Sequence, residues 1–198
     1  MAGKLIIFSA PSGSGKSTII NYLLQQSLRL RFSISATSRA PRGTEKNGVE
    51  YYFLTPAEFK ARIAKGDFLE YEEVYTDKFY GTLKSEVYER MEKGQNVLLD
   101  IDPQGARMVM EQEPECVSVF ILPPSYKALR VRLHTRNTDD PVEIERRLGN
   151  AKGEIDQMQK YQYVVVNDEL ELAYAQLSAI AMAEKQRTNR YFPVIEAE

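Results

Sequence analysis

KLIIFSAPSGSGKST, residues 4–18, joins an apolar run to a glycine- and serine-rich turn and a Lys-Ser-Thr triplet. Leu5–Phe8 have the continuous apolar character of a buried parallel strand, and the apolar residues within 19–24 recur at helical spacing. The glycines therefore lie at a strand-to-helix turn, where the first amides of the helix and its positive dipole end attract anions. The stretch predicts a phosphate-binding loop.

The residue types in this loop suit the phosphates of a nucleotide. Gly13 and Gly15 let backbone N–H groups converge on an anion, Lys16 is placed to reach the β- and γ-phosphates, and the Ser17 hydroxyl is placed to ligate Mg²⁺. The usual pattern begins with glycine where this chain has Ala10, a small change at the loop entrance. The loop residues expected to bind these phosphates are Ala10, Pro11, Ser12, Gly13, Ser14, Gly15, Lys16, Ser17 and Thr18.

Composition and size limit the classes of function. The chain has 198 residues, 43% of them hydrophobic, and a net charge of −2, which indicates one globular domain without the positive field of a general nucleic-acid binder. No apolar stretch approaches the roughly 20 residues that cross a bilayer, and no signal-peptide pattern is present, so we expect a cytoplasmic protein without membrane or nucleic-acid partners. Cys116 and His134 are the only residues of their types, which excludes an intramolecular disulfide and a multi-histidine site.

The order of apolar runs predicts the fold class. Buried-strand patterns at Leu5–Phe8, Val97–Ile101, Val117–Leu122 and Tyr163–Val166 alternate with segments of helical period, and a fifth strand is expected around Phe32–Ala36. This alternation predicts a P-loop α/β fold of three layers, α/β/α, with a five-stranded parallel core sheet.

Two regions depart from this alternation. Residues 35–82 are polar and aromatic, and predict a small mixed α+β insertion, whereas 126–159 predict a charged helical pair that forms a lid. We therefore expect a single domain over 1–198, whose core comprises 1–34, 83–125 and 160–198.

Asp100 and Asp102 lie at the carboxyl end of a predicted buried strand, the edge at which open α/β sheets bind ligands. Asp100 is suited to hold the Mg²⁺ hydration shell opposite Ser17. Asp102 also fits a second interpretation, a capping residue for the helix that starts near Pro103.

A second anion site is predicted in the insertion. The sequence SATSRAPR, residues 35–42, presents Arg39 and Arg42 three residues apart on a proline-stiffened turn, and guanidinium forks bind phosphate in bidentate fashion. The downstream segments 47–53, 68–71 and 79–82 add aromatic rings, a carboxylate and a hydroxyl.

The ordered motifs resemble those of bacterial-type guanylate kinases over essentially the full length of the chain. The matching motifs are SAPSGSGKST, SxTSRAPR, NGxxYxF, FLEY, YGT, LDIDxQG, RRL and VVVND. The resemblance implies Mg²⁺-dependent transfer of the ATP γ-phosphoryl group to GMP, and also to dGMP, in purine nucleotide metabolism.

The resemblance also implies roles for individual residues. The residues implied to hold the GMP phosphate are Arg39, Arg42, Tyr51 and Tyr80, and those implied to read the guanine are Ser35, Glu70, Thr82 and Asp102. Arg136 and Arg147 are implied to reach from the lid to the transferring phosphates, where Lys16 and Arg39 also act, and Asn167 is implied to lie near the ATP adenine.

Elementary chemistry supports a guanine site independently. Guanine presents N1–H and its exocyclic amino group side by side, so a carboxylate such as Glu70 accepts both hydrogens, whereas adenine presents a bare N1 acceptor. The attacking phosphate oxygen of a nucleoside monophosphate is already ionised at neutral pH, since its second pKa is about 6, so no general base is required. A chain with one histidine fits that chemistry.

Departures from the family pattern keep two alternatives open. Pro103 follows Asp102, where valine or methionine is frequent, and Asn137 stands in a lid motif that usually has glycine. The alternatives are a P-loop kinase that phosphorylates a ribose bisphosphate, and a guanylate-kinase-like module that binds a phosphopeptide without catalysis. The oligomeric state stays open at this stage.

Overall fold

The computed structural model describes residues 3–25, 30–135 and 140–188, in which strands and helices alternate along the chain. The strands are β1 Leu5–Ser9, β2 Leu30–Phe32, β3 Ala36–Thr37, β4 Tyr52–Phe53, β5 Phe68–Tyr75, β6 Lys78–Leu83, β7 Asn96–Asp100, β8 Val117–Leu122 and β9 Tyr163–Val166. The helices are α1 Lys16–Gln25, α2 Pro56–Ala64, α3 Lys84–Glu92, α4 Pro103–Gln112, α5 Tyr126–Thr135, α6 Pro141–Asp156 and α7 Leu170–Lys185, with a 3₁₀ turn at Gln157–Lys160. Within these ranges, no helix is long and apolar enough to cross a membrane.

The core sheet has five strands in the order β2-β7-β1-β8-β9, and every neighbouring pair is parallel. In the central pairs, Leu5 lies opposite Val97 and Ile6 lies opposite Val117. This confirms the predicted five-stranded parallel core. The carboxyl ends of β1 and β7 therefore meet at one edge of the sheet, which brings residues 9–16 close to residues 100–102.

Both faces of this sheet are covered, which explains the uninterrupted apolar strands. On one face, Phe8 and Leu98 pack with Ile20 of α1 and Leu177 of α7. On the other face, Ile7 and its strand neighbours pack against α3 and α4. The strand side chains alternate between these two apolar clusters, so the sheet and its helices form three layers.

A smaller mixed sheet has the order β4-β3-β6-β5, with antiparallel pairing of β3 and β5 to β6. Its own apolar cluster centres on Phe59 of α2, which stacks on Phe68 at 4.4 Å and on Phe79 at 5.3 Å between ring centroids. Helix α2 begins with a capping box in which the side chains of Thr55 and Glu58 bond to each other's backbone amides. This sheet is the mixed α+β unit predicted from the polar and aromatic segment.

The paired helices α5 and α6 share an apolar seam of their own, formed by Leu129, Leu133, Ile144 and Ala151. Helix α6 starts at Pro141 behind an Asp140 cap, whose carboxylate accepts a hydrogen bond from the Glu143 amide.

The fifth core strand differs from its predicted position. β2 covers Leu30–Phe32, and Ala36 belongs to β3 of the second sheet. The expected strand at Phe32–Ala36 therefore runs from the last residue of β2, through the link between the two sheets, to the first residue of β3. Pairing with β7 ends where the Ser33 amide donates to the Leu98 carbonyl. Both segments have strand-like composition, and only pairing with different partners separates them.

Candidate active site

The loop between β1 and α1 has the backbone that its glycines predict. Gly13 and Gly15 have φ of +89° and +88°, values that disfavour residues with side chains. A Cβ at Gly15 would lie 2.5 Å from Nδ2 of Asn167, which donates to the Ser14 carbonyl at 3.0 Å. The Asn167 side chain, predicted near the adenine, therefore packs directly on the loop.

Lys16 begins α1 and turns toward the carboxyl edge of the sheet. Its ammonium forms an ion pair with Asp100 and donates to the Ile101 carbonyl at 3.1 Å. Asp100 ends β7 opposite Phe8, which explains how a residue in the loop meets one that follows it by 84 positions. Ser17 lies exposed on the first turn of α1. The structure thus brings the ammonium and the Asp100 carboxylate together beside the loop.

Sequence reasoning missed Arg132 of α5. Its guanidinium donates to the Ser14 carbonyl and to the Asn167 carbonyl, both at 2.9 Å. The partners are backbone groups 118 and 35 residues away, so no local motif signals the contact. Arg132 joins α5 to the phosphate-binding loop and to the segment after β9.

Helix α6 also reaches the loop. Arg147 donates from Nη1 to the Ser12 hydroxyl at 3.1 Å, and the Ser12 amide donates to Glu154 Oε2 at 3.4 Å. Burial raises the pKa of Glu154. Of the two lid arginines that the sequence predicts, the structure therefore brings Arg147 to the loop, while Arg136 lies outside the described residues.

In the second sheet, the carboxylate that was predicted to read the base is buried. Glu70 of β5 is 7% exposed, and Thr82 directly opposite on β6 donates its hydroxyl hydrogen to Glu70 Oε1 at 2.6 Å. Burial raises the pKa of Glu70 to about 7. Ser35 immediately precedes β3, whose Ala36 pairs with Gly81, the neighbour of Thr82. Glu70, Thr82 and Ser35 therefore lie on or beside adjacent strands of one sheet.

Asp102 fits both interpretations that the sequence left open. It caps α4 by accepting from the Gly105 amide at 2.7 Å. A Cβ placed on Gly105 would lie 3.1 Å from Glu70 Oε2 and 3.5 Å from Asp102 Oδ1, so the two carboxylates converge on the first turn of α4. Glu72, two residues beyond Glu70, also interacts with Asp102, and burial together with that contact raises its pKa to about 7. Glu72 is not among the site residues that the sequence motifs predict.

A cleft of about 620 Å³ lies between the first turn of α4 and the middle of α6. Asp102 and Arg107 line one side, and Gly153 and Glu154 line the other. The cleft therefore lies between Asp102 at the start of α4 and the helix that contacts the Ser12 side chain and amide.

The residues of the insertion that were predicted to hold a phosphate cluster around Arg39. Its guanidinium lies 4.9 Å from the ring centroid of Tyr51, whose ring is 6.0 Å from that of Tyr80. The same guanidinium is bound by both oxygens of Glu45, at 2.6 and 2.7 Å. Arg42 is exposed, and its backbone amide donates to Glu45 at 2.7 Å. Arg39, Tyr51 and Tyr80 thus form one cluster, with the Arg42 side chain at its exposed margin.

Comparisons with known proteins agree with this arrangement. The family model described as guanylate kinase matches residues 2–184. A guanylate kinase of Bacteroides thetaiotaomicron is 58% identical over 177 residues, covering 89% of this chain and 87% of that protein, and one of Symbiobacterium thermophilum is 50% identical, covering 95% and 89%. A crystal structure of guanylate kinase from Anaplasma phagocytophilum superposes with a TM-score of 0.74 at 36% identity, covering 96% of this chain and 89% of that one.

These matches extend over nearly the whole of the chain, and they confirm the fold and the family that the motifs predicted. The chain belongs to the guanylate kinase family.

Proposed function

We propose that this chain transfers the γ-phosphoryl group of ATP to GMP, and also to dGMP, giving ADP and GDP. The observation that carries the proposal is the buried Glu70 carboxylate, which lies beside Thr82 and converges with Asp102 on the first turn of α4. An ionised carboxylate in such a site accepts both N1–H and the amino group of guanine. A purine without those donors leaves the buried carboxylate unpaired, and the site therefore discriminates against that purine, relative to guanine, by factors of about 10⁴.

On the donor side, we propose that the amides of Gly13 and Gly15 hold the ATP phosphates with Lys16. The left-handed glycines and the start of α1 support this role. The proposed ATP contacts are Ala10, Pro11, Ser12, Gly13, Ser14, Gly15, Lys16, Ser17, Thr18 and Asn167.

On the acceptor side, we propose that the GMP phosphate binds among Arg39, Tyr51 and Tyr80, with Arg42 closing over it from the exposed margin. The cation-π and ring contacts within this cluster support a single phosphate position. We propose that Ser35, Glu70, Thr82 and Asp102 read the guanine.

The chemistry then requires alignment and charge neutralisation more than proton transfer. The attacking oxygen of GMP is largely ionised at neutral pH, since the second pKa of a phosphate monoester is about 6, so no side chain has to remove a proton. Lys16, Arg39 and Arg147 orient and neutralise the phosphates as charge develops, a role we extend to Arg136. His134, the one histidine in the sequence, lies exposed on α5 and takes no part in this scheme.

The oxygen donors near the loop fit a Mg²⁺ ion bound with ATP. Mg²⁺ prefers octahedral oxygen ligands and keeps several waters, so a hydroxyl and a carboxylate suffice when substrate phosphates complete the shell. We propose Ser17 and Asp100 as these protein groups. When bound, the ion would neutralise part of the charge on the β- and γ-phosphates. The ion pair of Asp100 with Lys16 holds that carboxylate at the edge where the phosphates arrive.

We further propose that the chain consists of a core, an insertion and a lid, each with a separate role in substrate binding. The core of 1–34, 83–125 and 160–198 carries ATP, the insertion 35–82 carries GMP, and the lid 126–159 closes over both. The separate apolar clusters of the second sheet and of the α5–α6 pair support this division.

A panel of acceptors tests the proposal. With ATP and Mg²⁺, we expect rapid phosphorylation of GMP and dGMP, and rates lower by at least about 10³ for AMP, CMP, UMP and a ribose bisphosphate. Preferred phosphorylation of the ribose bisphosphate would replace the proposal with a sugar-phosphate kinase. Binding of GMP without turnover would indicate a non-catalytic module.

A further inference from the structure

Glu45 is a carboxylate that binds Arg39 beside the proposed GMP phosphate site. Its two oxygens bind Nη1 and Nη2 of Arg39 at 2.6 and 2.7 Å, and Oε2 also accepts from the Arg42 amide at 2.7 Å. These bonds hold the pKa of Glu45 at about 2, so the carboxylate is ionised at neutral pH. Glu45 thus contacts both residues of the predicted phosphate fork.

The Glu45 carboxylate occupies the Nη1–Nη2 edge of the Arg39 guanidinium. Glu45 takes a hydrogen from each Nη atom, and the Ala40 carbonyl takes the second hydrogen of Nη1 at 3.0 Å. The hydrogens that remain, on Nε and Nη2, form the other edge of the planar group, which is itself a bidentate donor. The Tyr80 hydroxyl also interacts with this guanidinium, and the Tyr51 ring lies against it.

The backbone holds Glu45 in this position. The Glu45 amide donates to the Arg42 carbonyl at 3.0 Å, and Gly43 within that turn has φ of +54°. The turn and the side-chain bond to the Arg42 amide together fix the carboxylate. A fork oriented before its ligand arrives loses less conformational entropy when the ligand binds.

We infer that Glu45 is a positioning residue for the acceptor phosphate, an inference that rests on the proposed function. It binds Nη1 and Nη2 of Arg39, so that the edge formed by Nε and Nη2 faces the GMP phosphate together with the Tyr80 hydroxyl. Glu45 itself does not contact the nucleotide. The rival mechanism is competition, in which Glu45 imitates the phosphate and has to be displaced from Arg39 before GMP binds.

Titration calorimetry with GMP separates these mechanisms, because loss of a positioning residue raises the Kd of GMP and loss of a competitor lowers it. Guanosine, which lacks the phosphate, is the control ligand for the base site. For Glu45→Gln, we expect the Kd of GMP to rise at least about tenfold and the Kd of guanosine to stay within about twofold of the wild type. The KM for GMP should rise with the Kd while kcat changes less. Glu45→Asp keeps the charge with a shorter reach, and we expect an intermediate Kd for GMP.

Glu50→Gln is the matched control, because Glu50 is an exposed glutamate of the same loop that accepts a hydrogen bond from the backbone amide of Lys46. We expect wild-type GMP affinity from this variant. An unchanged Kd of GMP in Glu45→Gln would overturn the inference, and a lower Kd would establish competition instead. If the wild type binds GMP no more tightly than guanosine, the proposed function fails as well. Preferential GMP binding in the wild type with an unchanged Kd of GMP in Glu45→Gln overturns the positioning role alone.

Discussion

At the scale of single residues, the site depends on two charged groups held in different surroundings. Lys16 is partly exposed and paired with Asp100, whereas Glu70 is buried beside a hydroxyl and near other carboxylates. The first arrangement orients an ammonium at the edge of the sheet beside the loop. The second makes ionisation of a carboxylate depend on pH within the physiological range.

Replacing Lys16 with alanine tests the ammonium. We expect kcat to fall by at least about 10³, because the charge on the transferring phosphoryl group loses its fixed counter-charge. The thermal melting curve should stay cooperative, since Lys16 pairs with a carboxylate that is itself partly exposed. Lys93→Ala, on the exposed C-terminal end of α3, is the control and should retain wild-type turnover. Normal turnover by the Lys16 variant would contradict its assigned role.

The pH dependence of guanosine binding tests Glu70. Guanine requires the ionised carboxylate, and burial raises the pKa of Glu70 to about 7, so affinity should increase as pH rises through that value. Between pH 6 and pH 8 we expect the Kd of guanosine to fall about tenfold, with proton release on binding below pH 7. Guanosine is the ligand of choice because its lack of phosphate removes a second titration.

Two variants assign this pH dependence. Glu70→Gln should abolish it and weaken guanosine binding at pH 8. Glu72 interacts with Asp102 and also has a pKa raised to about 7, so Glu72→Gln is the matched comparison. A pH profile that disappears in Glu72→Gln and persists in Glu70→Gln would move the titrating group to Glu72.

At the scale of secondary-structure elements, α4 combines a structural and a binding role at its N-terminus. Asp102 caps the helix through the Gly105 amide, and Pro103 occupies the first turn, where its missing N–H costs nothing. The same carboxylate lies beside Glu70, and the absence of a side chain at Gly105 lets β5 approach α4 closely.

Substitutions at Asp102 separate capping from guanine recognition. Asparagine caps helices about as well as aspartate, so Asp102→Asn should preserve the free energy of unfolding and still weaken GMP binding. Asp102→Ala should weaken binding and also lower the free energy of unfolding by about 1 kcal/mol. Urea denaturation and calorimetry measure the two effects. Equal loss of stability in both variants would show that the negative charge itself stabilises α4 through its dipole.

At the scale of the whole molecule, the α5–α6 pair is joined to the core by polar contacts as well as by its apolar seam. Arg132 reaches the loop and the segment after β9, and Arg147 and Glu154 reach Ser12. Each contact ends on or beside the segment proposed to hold ATP. The position of the helical pair and the shape of the donor site are therefore coupled.

Arg132→Lys tests this coupling. Lysine keeps the charge but cannot donate to two carbonyls in a fixed fork, so we expect the KM for ATP to rise roughly tenfold while the Kd of GMP stays within about twofold. Arg130→Lys is the control on the same helix, because Arg130 forms an exposed ion pair with Glu145. An equal rise in the KM for ATP in both variants would assign the effect to α5 in general and not to the Arg132 contacts.

Local patterns in the sequence were sufficient to predict the phosphate-binding loop, the parallel core sheet and the family. These features depend on residues that are near each other in the chain: the periodicity of strands and helices, the glycines of the loop and the order of the motifs. They can therefore be recognised from the sequence alone. Packing determined the rest. Three features depend on which elements pair. They are the boundary between β2 and β3, the hydrogen bonds of Arg132 to two distant carbonyls, and the proximity of Glu70 to Asp102. Contacts between residues far apart in the chain form only when those elements pack, and for that reason no local pattern encodes them.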